Sequence, residues 1–394
     1  MGKLGDYITI KHGFAFKGNS ISKEDNGVVL VTPGNFQIGG GFQEDKCKFF
    51  HGDYPEEYVL HENDLIVTMT DLSKDGDTLG YSAKVPFSSN RTYLHNQRIG
   101  LVCFKNEAVD KDFLYWYMRT AYYHKIVLTT SSGSTVKHTS PSRICEIDVD
   151  FPNLSVQRNI SAILNAIEDK ITLNTRINDN LQQQADAIFD ENFPLQEPLP
   201  VGWRKSHLSS IAKYLNGLAM QKYRPAQGEN GLPVLKIKEL RQGMTDDNSE
   251  HCSSNIKPEY IVHDGDIIFS WSGSLLVDFW CGGDCGLNQH LFKVTSTQFD
   301  KWFVYAWTKH YLNHFIAVAA DKATTMGHIK RDELDKAEVI IPSSGDYMEI
   351  GALMQPLYDE IISNRIESRK LSELRDALLP RMMSGELDVS GLDL

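Results

Sequence analysis

The sequence contains two copies of one pattern, and this internal duplication limits the fold more than any other feature. Residues 4–17 (LGDYITIKHGFAFK) align with residues 208–221 (LSSIAKYLNGLAMQ), and residues 61–66 (HENDLI) align with residues 263–268 (HDGDII). The offset falls from 204 at Leu4 and Leu208 to 190 at His138 and His328, and most of this change comes from about ten extra residues of the first copy between positions 70 and 96. The duplication alone fits two recognition modules of different specificity and a repeated structural domain without a binding role equally well.

Both copies follow the same layout of short strands, helices and a final long helix. In the first copy, β-branched and aromatic runs predict strands at residues 28–32, 65–69 and 99–104. Helical stretches are expected at 112–124 and 300–314, with the aromatic pairs Tyr115/Trp116 and Tyr305/Trp307 in the core. We therefore predict an α/β (α+β) protein of two pseudo-repeated mixed units and two long antiparallel coiled-coil helices. The expected boundaries are residues 1–153, 154–193, 194–343 and 344–394, which alternate globular unit and helix, the last with a C-terminal tail.

Apolar residues recur at alternating four- and three-residue steps along both long helices, which is the pattern of a coiled-coil seam. The seam residues are Ile160, Leu164, Ile167, Ile171, Leu181, Ala185 and Ile188 and, 190 positions later, Ile350, Met354, Leu357, Ile361, Leu371 and Leu378. Arg375 interrupts the second seam. Asn174 and Asn364 share one heptad position, where a buried polar residue weakens the pair but sets its register. Residues 346–349 (DYME) predict a capping box for the second helix.

The matched length of the two helices indicates what they are for. A helix of about 35 residues is roughly 50 Å long. Two such helices, each following a globular unit, predict an antiparallel pair that holds the units a fixed distance apart. A fixed distance between two units suits DNA best, because two sites on DNA are a fixed distance apart. The helices are therefore interpreted as a DNA spacer rather than as a generic scaffold.

The charge of the chain opposes tight DNA binding by the chain alone. Its formal net charge is −12, whereas nucleic-acid binders are usually basic. Basic residues gathered on one face, or phosphate contacts from a partner, would still permit binding within an assembly. The sequence has no apolar run of membrane-spanning length, no secretion signal and only six cysteines, which predicts a cytoplasmic protein with reduced thiols and no membrane contact. Cys281 and Cys285 lack a second ligand pair, so no metal site is expected.

Motifs for chemistry are missing from the sequence. It has no Pro-Pro, which an adenine methyltransferase motif requires, and no GxxxxGK[ST] for a translocase. No Gly-x-Gly loop stands between a strand and a helix to hold a cofactor. Glu44-Asp-Lys46 and Glu168-Asp-Lys170 each match half of a common nuclease motif, but the second is interpreted as a solvated helix face. We expect a non-catalytic chain.

The C-terminal residues 364–387 strongly resemble the distal conserved helix of type I restriction-modification specificity subunits, most specifically in LRDALLPRMMSGEL. Residues 163–189, with KITLNTRIN and AIF, are similar to the first conserved helix of that family. Residues 263–268, the following SWSG at 270–273 and residues 151–157 also fit. The resemblance in organisation covers nearly the whole chain, whereas the globular units match only at scattered positions. Pro356 and Arg375 depart from the pattern of the second helix.

The resemblance implies a division of labour within a complex. Each globular unit would be a target recognition domain that reads one half of a split site in double-stranded DNA. The helices would set the gap and bind two modification (methyltransferase) subunits, which carry S-adenosylmethionine, and restriction (translocase-nuclease) subunits would then join. The chain itself would need no cofactor, since S-adenosylmethionine, ATP and Mg would belong to the partner subunits. Two alternatives stay open: a recognition subunit of a related methylase-nuclease system that cuts near its site, and a non-DNA coiled-coil scaffold.

Three polar segments in each copy are candidates for DNA contact, because base edges and phosphates are read by such side chains. The first is the loop after residues 65–69 and its counterpart, with Thr68, Thr70, Ser73, Lys74, Ser270, Trp271, Ser272 and Ser274. The second is Asn96-Gln97-Arg98 and Asn288-Gln289-His290, from which Arg98 and His290 are the candidates. The third contains Lys137, His138, Lys322, Thr324, His328, Lys330 and Arg331, a composition suited to phosphates. A flexible turn, a structural amide network and ordinary exposed loops are the respective alternatives.

Overall fold

A computed structural model describes residues 2–193, 198–321, 329 and 331–392. The chain forms two compact units, one of Met1–Glu168 with Leu374–Leu394 and the other of Asp169–Glu373. Helix α5 therefore contributes to both units, as does helix α11. Among the described residues, no helix is both long enough and apolar enough to cross a membrane.

The first part of the chain alternates short strands with a few helices. In order, the elements are β1 (Gly2–Lys3), α1 (Leu4–Tyr7), β2 (Ile8–His12), β3 (Ile21–Ser22), β4 (Val28–Val31), β5 (Phe49–Phe50), β6 (Val59–Leu60), β7 (Leu65–Thr68), β8 (Thr70–Asp71), β9 (Ser82–Lys84), β10 (Thr92–His95), β11 (Ile99–Phe104), α2 (Lys111–Tyr117), α3 (Ala121–Thr130), β12 (Lys137–His138), α4 (Pro141–Cys145), β13 (Asp148–Val149) and α5 (Leu154–Asn192).

The second part follows a similar order, with an additional helix, α7 (Ile237–Gln242), and without counterparts of β3 and β8 among its described residues. Its elements are β14 (Arg204–His207), α6 (Leu208–Ile211), β15 (Lys213–Asn216), β16 (Leu232–Leu235), α7 (Ile237–Gln242), β17 (His251–Cys252), β18 (Ile261–Val262), β19 (Ile267–Ser270), β20 (Leu276–Phe279), β21 (Cys285–Leu287), β22 (Leu291–Thr295), α8 (Lys301–His310), α9 (Leu312–Asp321), α10 (Arg331–Lys336), β23 (Glu338–Ile341) and α11 (Ser344–Met383).

The sheets of the two units have equivalent topologies. An antiparallel sheet in the order β2-β11-β7-β9 corresponds to β15-β22-β19-β20. A second sheet, β3-β5-β4-β10-β6, corresponds to β17-β16-β21-β18, and each contains one parallel pair, β4 with β10 and β16 with β21. The first and last strands of each unit also pair, β1 with β13 and β14 with β23. The predicted fold class, a duplicated mixed helix-and-strand architecture with long helices, is confirmed.

The two long helices match the prediction closely, since α5 has 39 residues and α11 has 40. Pro356 lies inside α11 without ending it. The amide N–H of Asp346 donates to Ser343 Oγ, so Ser343 caps the helix and the cap predicted at Asp346 is wrong. A serine hydroxyl at this position satisfies one of the free N–H groups of the first turn.

Both helices run antiparallel within each unit. In the second unit, Asn174 Nδ2 donates to Glu367 Oε2 at 2.8 Å, and Asn364 Nδ2 donates to Asn178 Oδ1 at 3.0 Å. The predicted apolar and asparagine residues of the seam are all buried or half-buried. Ile160, Leu164, Asn174, Ala185, Ile350, Met354, Ile361 and Asn364 are buried, and Ile167, Ile171, Leu181, Ile188, Leu357, Leu371 and Leu378 are half-buried.

Much of the seam is also part of the globular cores. In the second unit, Ile350, Met354 and Ile361 lie in one buried cluster with Trp302 and Phe303 of α8. In the first unit, Ile160 and Leu164 lie in a cluster with Trp116, Leu379 and Met382, where Trp116 is completely buried. The predicted core aromatics Tyr115, Trp116, Tyr305 and Trp307 are all buried. Both helices therefore contribute side chains to the core of each unit.

Glu168 does not lie on a solvated face, so that interpretation of its sequence motif is wrong. Its carboxylate accepts hydrogen bonds from Arg375 Nη1 at 2.6 Å and from Arg119 Nη1 at 3.4 Å. Burial by itself would raise the pKa of Glu168, but the two guanidinium groups more than offset this and hold the pKa below its usual range. Arg375, which breaks the apolar seam, is therefore half of an ion pair in the first unit.

Candidate nucleic-acid interface

The carboxyl ends of the parallel strands present the second candidate segment in each unit. Asn96 directly follows β10, and Asn288 directly follows β21. Each asparagine is buried and turns the chain with its own side chain, since Asn96 Oδ1 accepts from the amide of Arg98 at 3.0 Å and Asn288 Oδ1 accepts from the amide of His290 at 3.2 Å. This turn leaves Gln97 and Arg98 exposed, and Gln289 and His290 half-buried.

In each unit, a glycine allows a further backbone segment to approach this turn closely. A Cβ on Gly13 would lie 2.2 Å from the carbonyl oxygen of Asn96, and a Cβ on Gly217 would lie 2.2 Å from that of Asn288. No side chain fits at such a distance from a backbone carbonyl. The residues that follow, Phe14 and Leu218, form isolated bridges with the same two asparagines.

The other two candidate segments meet this turn through equivalent backbone hydrogen bonds. In the first unit, the Met69 amide donates to the Arg98 carbonyl at 2.9 Å, and the Thr139 amide donates to the Met69 carbonyl at 3.0 Å. In the second unit, the Trp271 amide donates to the His290 carbonyl at 3.4 Å, and the Ile329 amide donates to the Trp271 carbonyl at 3.1 Å. Backbone hydrogen bonds thus join segments that lie far apart in the sequence, in the same way in each unit.

The loop after β7 owes its shape to polar side chains. The Asp71 carboxylate accepts from the Thr78 amide at 2.5 Å, from Thr78 Oγ1 at 2.6 Å and from the Ser73 amide at 2.6 Å. Burial would raise the pKa of Asp71, but these hydrogen bonds outweigh it and keep the pKa below the usual value. Ser73 Oγ in turn accepts from the amides of Gly76 and Asp77.

Thr68 is a candidate that the structure does not support as a direct contact. It is completely buried, and its hydroxyl bonds the Thr78 carbonyl and the Gly80 amide. Thr70 is buried as well, and its Oγ1 lies 3.2 Å from Nδ1 of His138. Lys74 is exposed in the same loop. The hydroxyls therefore shape the loop, whereas Lys74 is a candidate that lies on its surface.

The third candidate segment pairs with this loop in the first unit. Strands β8 and β12 are antiparallel, with Lys137 opposite Asp71 and His138 opposite Thr70. His138 is exposed and Lys137 is half-buried. The pairing places Lys137 and His138 against the start of the loop that carries Lys74, and thus joins two of the candidate segments.

In the second unit the candidate side chains divide between internal and surface positions. Ser270 is buried and donates to the Ser274 carbonyl, and Ser272 is buried with its Oγ 3.0 Å from His290 Nδ1. Trp271 Nε1 donates to Asn216 Oδ1, and its ring stacks on Phe292 at 5.6 Å. Ser274 is exposed.

Arg331 is exposed, yet its Nη2 donates to the Tyr214 carbonyl at 3.4 Å. Four other candidates, Lys322, Thr324, His328 and Lys330, lie outside the described residues.

Sequence reasoning missed a groove in the second unit. The groove has a volume of about 460 Å³ and is lined by Met220, Gln221, Arg224, Lys236, Ile237, Lys238, Glu250, Asn288, Gln289 and His290. Lys236 directly follows β16, the parallel partner of the strand that Asn288 follows. The sequence KIK at 236–238, placed at the end of a strand, was the available signal for these basic residues.

Each half of the chain thus repeats one scaffold, in which backbone hydrogen bonds join the candidate segments, and a long helix follows each half. Residues 1–183 and 200–371 match the family model for the type I restriction modification DNA specificity domain, and the chain belongs to that family. It is accordingly a specificity subunit, and thus a non-catalytic component of its system.

Known proteins that resemble the chain are of the same kind. A type I restriction enzyme MjaIX specificity subunit from Methanocaldococcus jannaschii is 25% identical over 341 residues, which is 80% of this chain and 76% of the relative. The HindI specificity subunit from Haemophilus influenzae is 20% identical over 344 residues, covering 68% of this chain and 75% of the relative. A crystal structure of a type I restriction-modification S subunit from M. genitalium shares the fold, with a TM-score of 0.56, 13% identity and coverage of 96% of this chain and 94% of that one.

Proposed function

We propose that the chain reads a bipartite target in double-stranded DNA as the sequence-recognition subunit of a type I restriction-modification complex, with one half of the target read by each unit. One observation carries this proposal. Equivalent backbone hydrogen bonds hold the three polar segments together in both units, while the side chains on them differ, as with Arg98 and His290 or Met69 and Trp271. A common frame with different donors and acceptors is what two modules need to read different bases.

The side chains on these segments suit different parts of DNA. Gln97 and Arg98 in the first unit, and Gln289 and His290 in the second, are placed to reach base edges, since amides, guanidinium groups and imidazoles match the hydrogen-bonding pattern of the major groove. Lys74 and Lys137 are assigned to phosphates, which position a protein without reading sequence. Lys322, Thr324, His328, Lys330 and Arg331 remain proposed phosphate contacts of the second unit.

The helices are proposed to set the gap between the two half-sites and to bind two modification subunits. Large apolar side chains are exposed on them: Leu173 and Leu353 are 51% and 56% exposed in the second unit, and Leu374 is 47% exposed in the first. Three single side chains of this kind do not make a patch, so the docking proposal rests on the family to which the chain belongs. S-adenosylmethionine would be held by these partners, whereas ATP and Mg would be used by the restriction subunits that join the complex. Because such a complex acts on cellular DNA, we propose a cytoplasmic location.

The proposal is tested by co-expressing the chain with the modification subunit of its own system in a host without other adenine methylation. Long-read sequencing of the host genome then maps every methylated adenine. The proposal predicts one motif of two short defined parts separated by an undefined gap of constant length. Methylation at a continuous motif would contradict the bipartite target. No methylation in cells where the modification subunit is shown to bind S-adenosylmethionine would contradict the whole proposal and favour the scaffold.

A further inference from the structure

The groove of the second unit holds one carboxylate among its cations. Glu250 Oε1 lies 2.7 Å from Lys236 Nζ, and Glu250 Oε2 lies 3.5 Å from Arg224 Nη1. The Glu250 side chain is 44% exposed, and it lines the groove together with Gln289 and His290. The two cations hold the carboxylate in one place, and a carboxylate oxygen has lone pairs left to accept further hydrogen bonds.

The equivalent position in the first unit carries the opposite charge. The Val234 amide donates to the Glu250 carbonyl at 2.7 Å, and the Leu30 amide donates to the Lys48 carbonyl at 2.8 Å. Glu250 immediately precedes β17, just as Lys48 immediately precedes β5. Lys48 is exposed. The same backbone site therefore presents a fixed acceptor in one unit and a donor in the other.

A carboxylate in this position is poorly suited to contact phosphates. The dense negative charge of DNA repels the carboxylate. The carboxylate also pairs with two cations that would otherwise neutralise phosphates. A carboxylate is well suited to the exocyclic amino group of cytosine or adenine, which is a donor in the major groove. It is also repelled by the oxygen acceptors of guanine and thymine at the same place, so it discriminates by attraction and by repulsion.

We propose that Glu250 is a specificity-determining residue of the second unit, where its carboxylate, held by Lys236 and Arg224, accepts a hydrogen bond from the amino group of cytosine or adenine. This inference rests on the proposed function. The hydrogen bond from Lys236 is also the main reason that the pKa of Glu250 lies below its usual range, so the group is an acceptor at neutral pH. Lys48 would favour the acceptor edge of guanine in the first unit by the same geometry.

The test maps adenine methylation for the intact complex that carries Glu250→Ala, E250Q or Glu259→Ala. Glu259 is also exposed in the second unit but does not line the groove, so it controls for net charge. For Glu250→Ala we expect about a tenfold or greater loss of discrimination at a single position of one half of the motif, with every other position unchanged. Binding of a random 30-base-pair duplex should tighten about two- to tenfold, because two cations lose their partner.

Different outcomes identify different failures. If the wild-type complex methylates no split motif, the proposed function is wrong and this inference falls with it. If the wild type gives a split motif and Glu250→Ala reproduces it with the same fidelity at each position as Glu259→Ala, the inference alone is wrong. An even loss over all positions of one half, with a lowered melting temperature, would also overturn it, because that result marks a structural role. E250Q keeps the shape and removes the charge, so it repeats the test where the alanine variant folds poorly.

Discussion

Arg375 Nη1 donates a 2.6 Å hydrogen bond to Glu168 Oε2, and this ion pair stands where the heptad pattern calls for an apolar contact. The side chains are only 16% and 29% exposed, and Glu168 also faces Arg119, which is 5% exposed. Loss of the carboxylate would remove the counter-charge that Arg119 faces and one partner of Arg375, which also pairs with the more exposed Asp376. We predict that E168Q lowers the free energy of unfolding by about 2–3 kcal/mol, somewhat less than for a fully buried pair. Urea denaturation at pH 7 measures it.

The exposed pair Arg381–Glu386 gives a matched control, because its side chains are 51% and 62% exposed. We expect E386Q to change the free energy of unfolding by less than about 1 kcal/mol. The pKa of Glu168 is lower in the folded than in the unfolded chain, so its contribution is complete above the unfolded pKa and is lost as the pH falls through the folded pKa. The difference between wild type and E168Q should therefore shrink in acid. Equal effects of E168Q and E386Q would contradict this account.

Gly13 is predicted to accept no side chain, because a Cβ would meet the Asn96 carbonyl oxygen at 2.2 Å. Gly13→Ala should lower the free energy of unfolding by about 1–3 kcal/mol through the forced backbone shift. Gly217→Ala should behave in the same way, since its Cβ would lie 2.2 Å from the Asn288 carbonyl oxygen. Gly18→Ala is the control, because no atom lies within 4 Å of a Cβ there. Similar thermal melting curves for Gly13→Ala and Gly18→Ala would refute the close approach.

Asn174 is predicted to act through its donor groups. Its Nδ2 donates to Glu367 Oε2 at 2.8 Å, and it also donates to Ser368 Oγ and the Asn364 carbonyl. N174D has nearly the same shape but removes these donors and places a second carboxylate beside Glu367. We expect a loss of about 2 kcal/mol or more at pH 7, measured by urea denaturation, that recovers partly in acid as the carboxylates become protonated.

An unchanged stability of N174D would show that the predicted polar seam layer does not stabilise the register. Asn180 lies on the same helix with an exposed side chain. N180D therefore serves as the control, and its effect should stay near zero.

Asp71 is predicted to be a positioning residue for the loop of the first unit. D71N weakens the hydrogen bonds from Thr78 and Ser73, so the loop that carries Lys74 should lose its fixed shape. Because the pKa of Asp71 is lowered in the folded chain, its stabilising effect is present above the unfolded pKa and is lost as the pH falls through the folded one. Methylation mapping should show reduced fidelity in one half of the motif only.

D75N changes an exposed aspartate in the same loop and should leave the motif intact. Reduced fidelity in both halves for D71N, or equal effects of D71N and D75N, would refute the assignment.

The long helices and the duplication could be predicted from the sequence because both depend on periodicity. A heptad step identifies the buried stripe of α5 and α11, and a second copy 190 positions later repeats it. The role of Arg375 could not be predicted, since its partner Glu168 lies 207 positions away and only the fold brings the two together.

The exposure of the candidate residues could be predicted only in part, because it also depends on the fold. Arg98, Lys74 and His138 are exposed as a contact requires. Thr68 and Ser270 are buried, and their hydroxyls bond nearby backbone groups. The identity of a threonine or serine in the sequence does not reveal whether its hydroxyl faces solvent or a backbone group. The basic groove was missed because its residues meet only through the parallel pairing of β16 with β21, which no local pattern reveals.

The most direct test of the account compares R98A with H290A in the co-expressed complex by mapping methylated adenines. Each residue occupies the same place in its own unit, after an asparagine at the carboxyl end of a parallel strand. If each unit reads its own half-site, R98A relaxes one half of the split motif and H290A relaxes only the other half. The gap length stays constant in both variants. If either variant changes both halves, or if both variants change the same half, the claim that each unit reads its own half-site is wrong.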